Sequence, residues 1–332
     1  MNDPGSTVPA ATRRLAPDAS GLAEAAALLR AGGLVAFPTE TVYGLGADST
    51  DPAAVARIFA AKERPRFNPL IAHLPGVDAA LAEGVFDAQA RRLAEAFWPG
   101  PLTLVVPAGP DTRVCDLARA GLPSVALRVP AHPLARALLA DVGRPVAAPS
   151  ANRSGRVSPT RASHVLDDLA GRIAGVLDGG DTPVGVESTV VACLGGVPRL
   201  LRPGGITRAA LRDVLGLDPA APDAADPDRP AGPGMLASHY APRARVRLDV
   251  TQVEPGEAVL LFGAARPAGG LAAAATLNLS PAGDLAEAAA ALFGALRALD
   301  ASGAASIAVV SIPAEGLGEA IRDRLARAAA PR

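Results

Sequence analysis

The sequence predicts an α/β protein in two parts: a larger domain built on a twisted mixed sheet with helices, and a small parallel α/β domain after a linker. Three observations lead there. Short apolar runs bounded by Gly and Pro alternate with segments of helical periodicity as far as residue 215. Residues 218–245 then hold Pro219, Pro222, Pro227, Pro230, Pro233 and Pro242, with Ala, Asp and Gly between them, and such a stretch continues neither helix nor sheet. Beyond it, strand-like and helical patterns alternate again, as in a βα unit. The expected division is a flexible arm over 1–17, a domain over 18–217, a linker over 218–245 and a small domain over 246–332.

In chain order, residues 22–30 read as a helix stopped by Gly32-Gly33, and 34–37 as a short buried strand. Asp51-Pro52 reads as an N-cap with proline at the first helical position, opening a helix toward Glu63. Strands fit residues 69–73, 102–106, 124–129, 145–148, 174–177, 188–193 and 199–201. Helices fit 87–97, 133–141, a segment behind Thr160 that ends at Gly171, and one capped by Thr207 that runs to Leu215. In the last part, strands fit 258–262 and 306–312, a long helix fits 284–301 and a final helix closes the chain.

Composition narrows the function. The 332 residues carry a net charge of −1, so no global basic field argues for tight nucleic-acid binding. Cys115 and Cys193 are too few for a disulfide framework or a zinc cluster and read as small apolar fillers. The first residues lack a signal-peptide pattern and no apolar run approaches the ~20 residues of a membrane helix, so a cytoplasmic protein is expected. All but one of the 32 basic residues are arginine, the exception being Lys62. A lysine kept in such a background suits a place where a compact point charge must fit.

Three segments are candidates for chemistry. There is no P-loop and no dinucleotide glycine fingerprint, so a nucleotide would be held by side chains and scattered amides. Phe37-Pro38-Thr39-Glu40-Thr41-Val42-Tyr43-Gly44-Leu45-Gly46 leaves a buried strand through a proline and presents three polar side chains. It reads either as a β-turn-β corner or as a ligand-facing loop. Lys62-Glu63-Arg64-Pro65-Arg66-Phe67-Asn68-Pro69-Leu70 places cations at a helix C-terminus, which suits the helix dipole, and its prolines also stiffen it for a polyphosphate. The loop from Pro149-Ser150-Ala151-Asn152 to Ser158-Pro159-Thr160 lies between a strand and a helix, the usual crevice of α/β sheets, with Thr160 as a helix cap. Arg128 in a strand needs a partner. His73 reads as a structural histidine, and Glu187-Ser188-Thr189 and Arg202-Pro203-Gly204-Gly205 as turns. No His, Cys, Asp and Glu cluster has metal-ligand spacing.

Taken together and in this order, these segments resemble the threonylcarbamoyl-AMP synthase family, whose catalytic module is the YrdC-type domain. The resemblance rests on the Phe37–Gly46 string, Lys62-x-Arg64-Pro65, Asn68-Pro69-Leu70, Ser150-Ala151-Asn152, Ser188-Thr189-Val190 and Leu201-Arg202-Pro203-Gly204. The His239-Tyr240-Ala241-Pro242 string in the linker resembles the longer version of the family, with a small Rossmann-like parallel α/β domain at its end. The resemblance implies synthesis of threonylcarbamoyl-adenylate from L-threonine, bicarbonate and ATP, with Mg²⁺, for threonylcarbamoyladenosine formation next to a tRNA anticodon. It assigns Lys62 and Arg64 to catalysis. Arg64, Asn68, Ser124, Ser150, Asn152, Ser158, Arg202 and Tyr240 would hold ATP, Tyr240 as a lid. Thr41, His73, Arg128, Ala148 and Ser188 would hold threonine. A downstream threonylcarbamoyl transferase complex would take the product, weak RNA binding is a further expectation, and no membrane or resident metal is expected.

Two competing readings are weaker. An RNA-binding module could use Arg64, Arg66, Arg153, Arg156 and Arg202, but net charge is near zero and aromatic residues for stacking are few. A carbamoyl-transfer role like that of hydrogenase-maturation proteins lacks the cysteine-rich segments those proteins carry.

Overall fold

A computed structural model describes residues 11–65, 68–222, 239–270 and 273–331. Arg66 and Phe67 of the basic loop, residues 223–238 of the linker and the first ten residues of the expected arm lie outside the described residues.

The first part runs β1 (Arg13–Leu15), α1 (Ala19–Arg30), β2 (Val35–Phe37), β3 (Gly44–Asp48), α2 (Pro52–Lys62), β4 (Ile71–His73), α3 (Val77–Leu81), α4 (Ala88–Phe97) and β5 (Leu102–Pro107). It continues through β6 (Ser124–Arg128), α5 (Pro133–Val142), β7 (Val146–Ala147), α6 (Ala162–Leu169), β8 (Gly175–Leu177), β9 (Thr189–Ala192), β10 (Arg199–Arg202) and α7 (Arg208–Leu215). The second part holds β11 (Arg245–Arg247), β12 (Ala258–Leu261), β13 (Ala275–Asn278), α8 (Leu285–Ala301), β14 (Ser306–Val309) and α9 (Leu317–Ala329).

Ten strands form one sheet in the order β1-β8-β2-β3-β7-β4-β6-β5-β9-β10. It is mixed as expected: β4 pairs with β6 and β5 with β9 in parallel, whereas β2–β3, β5–β6 and β9–β10 are antiparallel. The second sheet, in the order β11-β14-β12-β13, is parallel throughout. The expected caps hold at α2, where Asp51 accepts from the Ala53 amide, and at α7, where Thr207 accepts from the Ala210 amide.

Other expectations need correction. Arg13–Leu15, read as the end of a loose arm, is an edge strand paired in parallel with β8; three residues are too few to show a period. Thr160 does not cap α6. The N-cap is Arg161, without a side-chain bond, and Thr160 Oγ1 instead lies 3.5 Å from His164 Nδ1. Short β11 and β13 and the single turn α3 carry no periodic signal and were not expected. The Phe37–Gly46 string does form the β-turn-β corner, with Phe37 opposite Gly44 on β3. A Cβ on Gly46 would fall 2.9 Å from Phe37 Cε1 and 3.0 Å from Val35 O, so the corner closes only over glycine.

The two parts share a core. Val42, Val157 and Val186 of the first part pack in one buried cluster with Tyr240 and with Leu292, Phe293 and Leu296 of α8. A Cβ on Gly185 would fall 2.4 Å from the Ala289 carbonyl oxygen, which puts the loop before β9 directly against α8. Burial of this kind contributes roughly 25 cal/mol per Å² of apolar surface, so the small α/β unit is fastened to the larger one hydrophobically.

Candidate active site

Loops at the ends of β2, β4, β7, β9 and β10 converge on one cavity. Its walls include Thr39, Val42, Gly44, Arg64, Pro69, Leu70, Ile71, His73, Arg128, Ala148, Pro149, Ser150, Glu187, Ser188, Arg202, His239 and Tyr240. The structure thus brings together eight of the residues singled out in the sequence: Arg64, His73, Arg128, Ala148, Ser150, Ser188, Arg202 and Tyr240. Thr41, Lys62, Asn68, Ser124, Asn152 and Ser158 are buried residues outside this lining.

Each of those six has its own surroundings. Thr41 Oγ1 lies 2.8 Å from Thr39 Oγ1, which itself donates to Val42 O at 2.7 Å. Ser158 donates to Glu187 Oε1 at 2.5 Å. Ser124 opens β6 opposite Pro107. Both side-chain polar atoms of Asn68, the Oδ1 of Asn152 and the Nε of Arg64 are buried without a hydrogen-bond partner among the described residues. Lys62, the last residue of α2, is 1 % exposed. Its Nζ donates to Ser150 O at 2.5 Å and to Asn152 O, joining the basic loop to the Ser-Ala-Asn loop. Burial, reinforced by the Arg64 charge and opposed by Asp168, holds this ammonium well below the usual lysine range. Glu63 ends the helix with φ 54° and accepts from Arg153 and Arg172 on the outer surface.

Arg128 is paired inside the protein. Its Nη2 donates to Glu40 Oε1 at 2.7 Å, and Glu40 Oε2 accepts from the Ala131 amide at 3.0 Å. Arg202 donates through Nε and Nη2 to Ser188 O, at 3.1 and 2.8 Å, and through Nη2 to Ser188 Oγ at 3.1 Å. Gly204 makes that geometry possible, since a Cβ there would fall 2.3 Å from Glu187 O. Burial lowers Arg64 to about 10, so it stays charged near neutrality. Burial, with Arg128 adding, pushes His73 down to about 3; burial, with Arg64 adding, does the same to His239. Both imidazoles are therefore neutral. His73 Nδ1 lies 3.1 Å from Ile71 O, which can only accept, so that nitrogen carries the proton.

Sequence reasoning missed four contributors. Glu40, inside the first motif, is the partner of Arg128. Glu187, read as part of a turn, lines the cavity, and so does His239. Arg324 on α9 reaches Glu187 from the small α/β unit. Acids beside the motifs were legible as candidates, whereas nothing distinguishes Arg324 from Arg322 and Arg327 in the same helix. Both cysteines are free thiols, and burial raises Cys193 to about 12, in keeping with a filler role. Among the described residues no group of three His, Cys, Asp or Glu is placed to hold a metal ion, and no helix is long and apolar enough to cross a membrane.

Comparison with known proteins places the chain in a family. A family model described as telomere recombination, covering the Sua5, YciO and YrdC proteins, matches residues 27–204. A second, described as the C-terminal domain of threonylcarbamoyl-AMP synthase, matches 206–330. The chain is 42% identical to the threonylcarbamoyl-AMP synthase of Bacillus subtilis, over 97% of this chain and 96% of that protein. It is also 42% identical to that of Pyrococcus abyssi, over 92% of both. The crystal structure of P. abyssi Sua5 complexed with L-threonine superposes with a TM-score of 0.86 at 37% identity, over 96% of this chain and 97% of that one. Two family models that together span the chain and relatives matched over nearly their whole length give one answer: the chain belongs to the threonylcarbamoyl-AMP synthase family, in its two-domain form.

Proposed function

We infer that this chain is a nucleotidyltransferase that condenses L-threonine, bicarbonate and ATP into threonylcarbamoyl-AMP, releasing pyrophosphate and water. The observation that carries this reading is the composition of one cavity. It gathers Arg128, His73 and Ser188 with Arg64 and Arg202, and the segments around it hold buried polar atoms of Arg64, Asn68 and Asn152 that lack partners among the described residues. Buried polar atoms without partners are rare in folded proteins and suit a ligand that completes them.

The chemistry follows from these groups. The amine of threonine adds to bicarbonate and water leaves; a carbamate oxygen then attacks the α-phosphorus of ATP and pyrophosphate departs. The carbamate is a weak, labile nucleophile, so the site's task is to align it and exclude water. Arg128, with Thr41, neutral His73, the Ala148 backbone and Ser188, holds threonine. Glu40 keeps Arg128 in place between turnovers. Arg64 and Arg202, with Asn68, Ser124, Ser150, Asn152 and Ser158, hold ATP, where charge builds on the phosphates. Lys62 fixes the Ser-Ala-Asn loop through its two carbonyls and adds positive potential behind it. Tyr240 covers the cavity as a lid.

Mg²⁺ arrives with the triphosphate. The carboxylate lining the cavity, Glu187, is already engaged by Ser158 and Arg324, and Glu40, which holds the lining residue Arg128, is engaged by Arg128 and Ala131, so the described residues fit no resident metal and no step is assigned to one. The chain divides functionally into a catalytic unit over 18–217, a connector over 218–245 and a small α/β unit over 246–332. The product supplies threonylcarbamoyladenosine formation in tRNA through a separate transferase complex in the cytoplasm, with weak RNA binding at most. Mass spectrometry tests the reading: a threonine- and bicarbonate-dependent adenylate should appear with pyrophosphate. Tight tRNA binding with a steep salt dependence and no pyrophosphate release would overturn it.

A further inference from the structure

The small α/β unit reaches two cavity-lining residues at once through the side chain of Arg324. Arg324 on α9 is fully buried. Its Nε donates to Glu187 Oε2 at 2.7 Å and its Nη1 to Asp323 Oδ2 at 2.6 Å. The guanidinium carbon lies 5.2 Å from the centre of the Tyr240 ring, within cation–π range. Glu187 uses its other oxygen to accept from Ser158. One planar cation therefore fixes a carboxylate and an aromatic ring that both line the cavity, and through the carboxylate a serine assigned to ATP.

Tyr240 needs such support. It is a non-glycine residue at φ 60°, a conformation that costs on the order of 1–3 kcal/mol and persists only where the surroundings enforce it. The enforcing contacts come largely from the small unit. Phe293 of α8 stacks on the ring at 5.6 Å, Arg324 sits over it, and the neighbouring His239 amide donates to Arg327 O at 3.2 Å. From the other side the Ala241 amide donates to Gly155 O at 2.8 Å.

A second cross-unit arginine shows what a purely structural tie looks like. Arg297 of α8 donates to Val157 O at 2.5 Å and to Asp168 Oδ2 at 2.7 Å, and neither partner lines the cavity. Arg324 differs because Glu187 and Tyr240 both do.

We propose that Arg324 is a positioning residue of the adenylate-forming site, acting through Glu187 and Tyr240, so that the small α/β unit completes the ATP side of the cavity. The proposal rests on the function inferred above. It assigns Arg324 an effect on ATP rather than on threonine, because Ser158 and Tyr240 are the groups it holds.

The test uses the full chain and two variants. Arg324→Lys keeps a buried cation but lacks the planar fork that meets Glu187 and Tyr240 together. It should fold, with kcat/KM for ATP down about thirtyfold, the range expected when a reacting group is misplaced. The KM for threonine should stay within about twofold, since the threonine contacts are untouched. Amide exchange at Ala241 should accelerate about tenfold while β5 and β6 amides keep their protection. Arg324→Met should lose more, and adding Glu187→Gln should restore part of the loss by removing the unpaired carboxylate. If Arg324→Met does not fold, Arg324→Lys decides. Wild-type KM for ATP and unchanged exchange at Ala241 in Arg324→Lys would overturn the proposal. An equal loss at both substrates, with exchange raised everywhere, would also overturn it by showing a general structural role. A wild-type chain that makes no adenylate would instead sink the functional reading, and the Ala241 exchange would then decide the role of Arg324 by itself.

Discussion

Two fully buried cations stand at opposite junctions of this molecule, and they are held in opposite ways. Lys62 joins the basic loop to the Ser-Ala-Asn loop through two backbone carbonyls and forms no ion pair among the described residues. Arg324 joins the small α/β unit to the cavity through the carboxylates of Glu187 and Asp323. Their electrostatics diverge accordingly. Burial, with the Arg64 charge adding, drives Lys62 down against the opposing charge of Asp168, whereas Arg324, despite burial, is held above the ordinary arginine range by Tyr240, Glu187 and Asp323. Glu187 answers in kind: burial works against its charge, but Arg324 and Arg202 hold it below the usual carboxylate range. A buried cation without a carboxylate is a poised charge; one with two is a fastening.

The largest effect expected from this contrast is on turnover. Lys62→Ala or Arg64→Ala should reduce pyrophosphate release by about a thousandfold or more, on the scale of losing a preorganised electrostatic group, with the circular dichroism spectrum unchanged. Wild-type rates in either variant would break the assignment of the basic loop. Stability should rank the other way. Glu187→Leu leaves Arg324 buried with one partner fewer and should cost about 3–5 kcal/mol in urea denaturation. Lys62→Met removes an unpaired charge and should cost about 1–3 kcal/mol for the two stranded carbonyls. Equal losses would erase the distinction between poised charge and fastening.

Titration sharpens it further. With Lys62 lowered from 10.5, the unfolded chain binds more protons than the folded one up to that pH. Its contribution to stability therefore grows as pH rises toward 10.5 and is lost as pH falls. The stability of wild type relative to Lys62→Met should increase as pH rises toward 10.5; a constant difference would contradict a lowered lysine. His73 and His239, lowered to about 3 from 6.5, contribute stability above pH 6.5 that is lost as pH falls toward 3. Neither should produce an inflection in activity above pH 6.5, and a rate profile checks that. The smallest effect is expected at Glu63, between the two functional cations but facing solvent, with a side chain 54 % exposed. Glu63→Ala should leave kcat within about twofold and shift the melting temperature by no more than about 2 °C, as exposed ion pairs do.

Legibility differed by kind of residue. The helix at 52–62 was readable because Asp51-Pro52 is a start signal with a mechanism and Glu63 follows where the pattern ends. Strand β1 was not, because three residues show no period and its partner β8 lies 162 residues away. Thr160 was a reasonable cap by residue type, yet the chain enters α6 one residue later and its hydroxyl turns to His164. Of the site, Arg64, His73, Arg128, Ser150, Ser188 and Arg202 stood in motifs whose order carried the reading. Glu40 was visible as a residue but not as the partner of Arg128, since that pair spans 88 positions.

What the sequence by itself determined was local and additive: the alternation of strand and helix, the proline-rich break, the lone lysine and the order of motifs that places the chain in its family. These survive without coordinates because propensity, capping and turn chemistry act over a few residues. What only the tertiary structure decided was which charges meet. It set Lys62 on carbonyls, Arg128 on Glu40 and Arg324 on Glu187, and it merged Val42, Val157 and Val186 into the core of the small α/β unit. Long-range pairing depends on how two sheets pack, and packing leaves no short-range period in the chain to read.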